Sequence, residues 1–307
     1  MSDNSPKPIN SPAKPKIRNR GGRTKKSKNV EPDVFELKKI VQDNLGILAL
    51  LEQNVQVFNY EKKAFEYFQD FDINKNKVTY ISNVLISNIK YYCKSLTLPI
   101  QRYAIAPALE GKDVLGCAPT GTGKTLAFLI PILELLLRMK KKGQLERSTS
   151  IIQPICLIMA PTRELAIQID REAKKLIHKT GIKSDYAIGG HDEDRQLNKL
   201  SSSRPHILVA TPGRLNAFLN KARHGNRINL ERIKFIILDE ADRMLDMGFK
   251  PQIEKMFNVA SPALRKQVLM YSATFPEDVK VLAKTYLSNN FAKIIVGPAG
   301  AVNKNIY

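Results

Sequence analysis

Seven short, predominantly apolar runs, each followed by a turn and a longer amphipathic stretch, constrain this chain more than any other feature. They occupy residues 114–117, 155–160, 184–188, 207–210, 235–238, 268–272 and 292–296. A strand with one wet face alternates apolar and polar residues, so unbroken apolarity marks strands buried on both faces. The stretches between them supply the cover: across residues 164–177, Leu165, Ile169, Ala173, Leu176 and Ile177 fall on one helical face. The pattern predicts an α/β fold, a parallel sheet covered by helices on both faces. Ligands of such sheets lie beyond the carboxyl ends of the strands, so the residues just after each run carry the functional information.

The first run leads into Ala118-Pro119-Thr120-Gly121-Thr122-Gly123-Lys124-Thr125 and then an apolar helical stretch from Leu126. Strand, glycine-rich octapeptide ending in Lys-Thr, and helix together form the phosphate-binding loop pattern, with Ala118 in place of its first glycine. Gly121 and Gly123 let the backbone curl so that successive N–H groups face a polyphosphate at the positive end of the next helix. Lys124 is then placed to reach the β- and γ-phosphates and Thr125 to offer a hydroxyl to Mg²⁺. A second acidic site should hold the metal. The run 235–238 ends in Asp239-Glu240-Ala241-Asp242. Asp239 is placed to hold Mg²⁺ through water, and Glu240 to orient and deprotonate an attacking water. Alone, the loop could be a glycine-rich turn with a surface lysine, and the acidic cluster a helix N-terminus favoured by the macrodipole. Their occurrence together after buried strands points to a nucleoside triphosphatase.

The tetrapeptide 239–242 and five further blocks make the chain resemble the DEAD-box ATP-dependent RNA helicases, specifically their first RecA-like lobe. The other blocks are the phosphate loop, Pro161-Thr162-Arg163-Glu164-Leu165, Gly189-Gly190, Thr211-Pro212-Gly213-Arg214 and Ser272-Ala273-Thr274. Each is short, but their joint occurrence in this order is specific. The stretch Arg243-Met244-Leu245-Asp246-Met247-Gly248-Phe249 is similar to the Vasa-like branch. The resemblance implies ATP as substrate, Mg²⁺ as cofactor and RNA as partner. It assigns Pro161, Thr162, Arg163, Gly190, Thr211, Pro212, Gly213 and Arg214 to the RNA sugar-phosphate backbone, so that binding should be largely independent of sequence. Physically, Thr162 and Thr211 follow buried strands and precede helices, where hydroxyls and free N–H groups suit phosphate; simple helix capping is the alternative use of the same residues. The resemblance also implies that Asp242, Ser272 and Thr274 couple hydrolysis to strand separation.

The adenine-selecting segment of the family corresponds here to residues 94–101. Gln101 is in place, its amide able to pair with an adenine edge. Lys94, however, stands where the family has an aromatic residue, and Leu98 occupies a Thr or Ser position. Tyr91, Tyr92, Phe68 and Phe71 are the alternative stacking rings.

Charge and composition fill in the organisation. The chain has 307 residues, 49 Lys+Arg and 29 Asp+Glu, a formal net charge of +20 that suits a polyanionic partner. Residues 1–30 carry nine Lys/Arg against Asp3 alone among Pro, Ser, Asn and Gly. They read as a disordered basic tail, either merely solvating or a nonspecific nucleic-acid arm. Residues 31–93 read as a helical flank, 94–298 as the RecA-like lobe and 299–307 as the start of an interdomain linker. The family's second lobe, which bears an arginine finger, is expected as a partner; a chain ending at Tyr307 is either a fragment or a natural truncation. The lysines Lys140, Lys141 and Lys142 and residues 148–153 read as a basic surface loop. Cys93, Cys117 and Cys156 are too few for a disulfide scaffold and suit a reducing compartment. The four histidines, His178, His191, His206 and His224, lack metal-ligand spacing. No run approaches the roughly 20 apolar residues of a membrane span. The expected setting is cytoplasmic, with nuclear entry left open by Lys25-Lys26. An RNA clamp with little turnover, prompted by Lys94 and Leu98, is the alternative function. A DNA-directed ATPase is disfavoured by residues 239–242 and 272–274.

Overall fold

The computed structural model describes residues 53–297 apart from 62–67, 69–79, 94–95, 146–150, 222–227 and 261–264. The basic tail, Lys94, Phe71 and the expected linker lie outside the described residues. All seven apolar runs form strands: β2 (Val114–Cys117), β3 (Cys156–Met159), β4 (Ser184–Ala187), β5 (Ile207–Ala210), β6 (Phe235–Leu238), β7 (Gln267–Ser272) and β8 (Ala292–Gly297). An eighth strand, β1 (Asn54–Phe58), departs from the expected helical flank. Its sequence, Asn-Val-Gln-Val-Phe, has a period of two, and Val55 and Val57 turn inward while Asn54, Gln56 and Phe58 face out. A short alternating segment inside a Leu-rich stretch is easily read as part of a loose helical pattern.

The sheet order is β1-β8-β2-β7-β6-β3-β5-β4. Every pairing is parallel except β1 with β8. The helices between are α1 (Asn83–Tyr92), α2 (Pro99–Leu109), α3 (Lys124–Lys141), α4 (Arg163–Leu176), α5 (Glu193–Ser203), α6 (Pro212–Lys221), α7 (Ala241–Asp246), α8 (Lys250–Val259) and α9 (Glu277–Tyr286). The core forms two layers, as continuous apolarity requires. In β6, Ile237 packs with Phe128 of α3 and Ile169 of α4, while Ile236 and Leu238 pack with Phe218 of α6, Ile253 of α8 and Leu282 of α9. Each such side chain buried from water contributes about 1.5–3 kcal/mol, so neither layer is optional. Among the described residues no helix is long and apolar enough to cross a membrane.

Buried polar groups fix the register between layers. Gln267 Nε2 donates to the carbonyls of Ala108 and Lys112, both at 2.7 Å, tying the end of α2 to β7. Asp113 accepts from Val268 N at 2.8 Å and Ser288 N at 2.7 Å, so the start of β2 is clamped to β7 and to the turn before β8. These bonds satisfy groups that would otherwise be costly to bury.

Candidate active site and nucleic-acid groove

The strand order divides the sequence blocks into two clusters. Neighbours β2, β7 and β6 bring the phosphate loop, Ser272 and Asp239 together; neighbours β3, β5 and β4 bring residues 160–163, Thr211 and 188–190 together. Both clusters lie at carboxyl ends, as parallel α/β sheets require.

In the first cluster the loop curls as expected, with φ of +82° at Gly121 and +90° at Gly123. The loop holds itself closed: Thr122 Oγ1 donates to the Pro119 carbonyl at 2.7 Å and Lys124 Nζ to that of Ala118 at 2.8 Å. Thr120, Gly121, Gly123, Lys124 and Thr125 line a pocket of about 330 Å³ together with Asp239 and Glu240. The remaining wall is Leu126 of α3 and Leu165, Gln168 and Glu172 of α4; Gln168 and Glu172 were not marked by any sequence pattern, because α4 reads there as an ordinary amphipathic helix.

Asp239 is buried, and burial pushes its carboxyl up to about 7, with nearby Lys124 acting in the opposite direction. Glu240 starts α7 in the left-handed region, φ 52° and ψ 53°. A non-glycine residue there costs about 1–3 kcal/mol and is retained where the surrounding structure demands it. The conformation accompanies a carboxylate that borders the pocket, 3.4 Å from Arg243 Nη1. Asp242 is buried, accepting from Thr274 Oγ1 at 2.6 Å, Thr274 N at 2.8 Å and Arg243 N at 3.0 Å, and its own N donates to Ser272 Oγ at 3.3 Å. Burial would raise this carboxyl, but the hydrogen bonds from Thr274, Ser272 and Arg243 outweigh it and hold it below the ordinary value.

Gln101 sits beneath the loop, 2% exposed. Its Oε1 accepts from Leu98 N at 2.8 Å and its Nε2 donates to the Gly123 carbonyl at 3.0 Å. The amide expected to face a base is thus engaged inside the protein, closing the first turn of α2 and bracing the loop. Of the alternative stacking rings, Phe68 is buried in the core, whereas Tyr91 and Tyr92 are exposed, in an edge-on pair 4.7 Å apart.

The second cluster is a groove of about 540 Å³ lined by Pro161, Thr162, Arg163, Gly189, Thr211, Gly213 and Arg214. Thr162 Oγ1 also accepts from Leu165 N at 3.3 Å, so it caps α4 while bordering the groove. Pro212 is buried in the first turn of α6 and does not line the groove. Gly190 does not line it either, but adjoins the Arg163 guanidinium. Sequence reasoning missed Glu164, Glu193, Ala217, Met247 and Phe249 as lining residues. Met247 is a large apolar side chain left 48% exposed at the end of α7.

The family model for DEAD/DEAH box helicases matches residues 98–282, which contain both clusters. The chain belongs to the DEAD/DEAH box helicase family. This helicase domain is 37% identical over 278 residues to a protein of Penaeus vannamei described as a probable ATP-dependent RNA helicase vasa-like. That match covers 90% of this chain and 37% of the relative, so the chain spans well under half of that relative's length. The crystal structure of the yeast DEAD-box splicing factor Prp28 superposes with a TM-score of 0.68 at 29% identity, over 85% of this chain and 56% of that one. Such a likeness establishes the RecA-like architecture of the helicase domain.

Proposed function

We propose that this helicase domain is the ATP-binding and RNA-contacting lobe of an ATP-dependent RNA helicase, hydrolysing ATP to unwind or remodel RNA in concert with a second RecA-like lobe. The observation that carries the reading is the pairing of two sites on one sheet edge. A phosphate-loop pocket and an arginine-lined groove lie side by side, and Asp242, Ser272 and Thr274 link the strand ends of the first. The donor set fits ATP with a divalent cation: curled N–H groups, one lysine, one hydroxyl and a buried carboxylate.

In this mechanism Lys124 exchanges the Ala118 carbonyl for phosphate oxygens, so nucleotide binding opens a loop that is otherwise closed on itself. Thr125, and Asp239 through water, would hold Mg²⁺, whose charge would offset that on the phosphates. The attacking water is oriented by Glu240, which takes its proton. Groove residues Thr162, Arg163, Thr211 and Arg214 take RNA phosphates, with no base edge read. Asp242, Ser272 and Thr274 transmit loop movement along the strand ends. A second lobe would add an arginine finger, worth about 10³–10⁵ in rate, so the single lobe should turn over slowly.

The test separates the two sites. K124A should abolish nucleotide binding and spare RNA binding, and R214A should do the reverse; RNA-stimulated ATPase of a chain extended through the second lobe should vanish with E240Q. Loss of neither binding activity, with E240Q silent, would sink the reading. ATP-dependent RNA trapping without phosphate release would replace it with a nonhydrolysing clamp, and equal stimulation by DNA with a DNA-directed ATPase.

A further inference from the structure

One donor in the groove has no acceptor. Arg214 is 8% exposed, and its Nη2 donates to the His191 carbonyl at 2.7 Å. Its Nη1 is buried and makes no hydrogen bond among the described residues. The nearest carboxylate is Glu193 Oε1, 3.7 Å away: close enough for charge attraction, too far for a hydrogen bond. Glu193 stands in the same groove and is held by its other oxygen, with Oε2 2.8 Å from Lys221 Nζ at the end of α6. Lys221 also draws Asp194, at 3.9 Å. The Lys221 hydrogen bond keeps the Glu193 carboxyl below the usual carboxylate range, so it stays charged near neutrality.

A buried guanidinium donor beside a mobile carboxylate would ordinarily be satisfied by it, because an unpaired buried donor is costly. Here the carboxylate is restrained just short of that bond. We propose that Lys221 is a positioning residue that latches Glu193 away from Arg214, reserving Arg214 Nη1 for an RNA phosphate. This rests on the RNA reading of the groove. Glu193 then serves discrimination: a bound phosphate must outcompete a nearby carboxylate, which an anionic phosphodiester does and a weak neutral ligand does not. Without Lys221 the carboxylate closes on Arg214 and fills the phosphate position itself.

The experiment is a double-mutant cycle on this chain, reading the anisotropy of a fluorescent single-stranded oligouridylate at fixed salt, with thermal melts to check folding. K221M should weaken RNA binding about tenfold and E193Q strengthen it about threefold, while K221M/E193Q should bind within about twofold of E193Q alone. That nonadditivity is the signature of the latch. If Lys221 merely touches a phosphate, K221M costs the same factor with or without E193Q and lowers the salt slope by about one, which overturns the proposal. Binding unaffected by K221M in both backgrounds, but lost in R214A, also overturns it while leaving the RNA reading intact. Failure of the wild-type chain to bind RNA, with K124A-sensitive nucleotide binding retained, removes both.

Discussion

Thr274 donates twice to a single carboxylate oxygen of Asp242, through Oγ1 at 2.6 Å and the backbone N–H at 2.8 Å. The bond joins the segment after β7 to the first turn of α7, and so to the turn that presents Asp239 and Glu240. T274A removes one of the two bonds and T274S keeps both. T274A should cost about 1 kcal/mol of stability in urea unfolding. It should leave ATP and RNA binding separately intact while weakening the effect of each on the other. T274S should restore that coupling; if T274A couples normally, Thr274 is only a strut.

The same bonds give a pH signature. The Asp242 carboxyl is held below its ordinary value in the folded state, so its contribution to stability is complete above the unfolded carboxylate pKa, about 3.9, and disappears as pH falls through the lower folded value. D242N lacks the titrating group. The stability gap between wild type and D242N should therefore be constant from pH 7 to about pH 5 and narrow below about pH 4. Urea midpoints across that range measure it, and a gap that widens on acidification would contradict the assignment.

Gln101 predicts a pattern of nucleotide selectivity. Because its amide braces Leu98 N and the Gly123 carbonyl, Q101A should weaken binding of inorganic tripolyphosphate as well as ATP, each by a similar factor. Q101E can still accept from Leu98 N but cannot donate to Gly123, and should behave like Q101A. A loss confined to adenine nucleotides would show that the amide turns outward to a base on binding.

How much of this was legible without coordinates follows from which interactions are local. The strands β2, β3, β5 and β6 announce themselves because burial on both faces leaves an unbroken apolar run, whereas β4 carries Ser184 and Asp185 and β8 carries Lys293; the phosphate loop is legible because one tight turn imposes its residues in sequence. β1 was hidden because its partner β8 lies more than 200 residues away and five alternating residues carry little signal. The Glu193–Lys221 pair was hidden for a related reason: Asp192 to Asp194 form an acidic helix start like many others, and only the fold brings α6 to them. Gln101 was recognised as a site residue, but its direction depends on where the loop carbonyl falls, which no spacing rule contains.

The cysteines offer a direct check of packing. Burial pushes the Cys117 thiol up to about 12 and raises Cys156 still further, whereas Cys93 is half-buried and raised less. Since only the thiolate reacts, a neutral-pH maleimide should label Cys93 first and slowly, and Cys117 and Cys156 only after denaturation. Prompt native labelling of Cys156, inside the β3 core, would contradict the packing of the sheet.

Three glycines should respond differently to alanine, for reasons visible in what a methyl group would meet. At Gly116 it would lie 2.6 Å from the Tyr271 ring, which is fully buried against Phe128, so nothing can yield and G116A should unfold the domain or destabilise it by several kcal/mol, about the scale of severe overpacking. At Gly189 it would touch Arg163 at an ordinary 3.5 Å, and G189A should be nearly neutral. At Gly190 it would collide with the Arg163 guanidinium, the end of a flexible side chain, from a backbone at φ +79°. The left-handed backbone costs about 1–2 kcal/mol for alanine, a tolerable loss, but the guanidinium must leave its place beside the groove. G190A should therefore melt only a few degrees lower, since about 1 kcal/mol shifts Tm by 2–4 °C in a domain of this size, while RNA affinity falls about as far as in R163A. Thermal melts and RNA anisotropy on the three variants separate the cases. RNA binding of G190A equal to wild type would show that Arg163 takes no part in the groove.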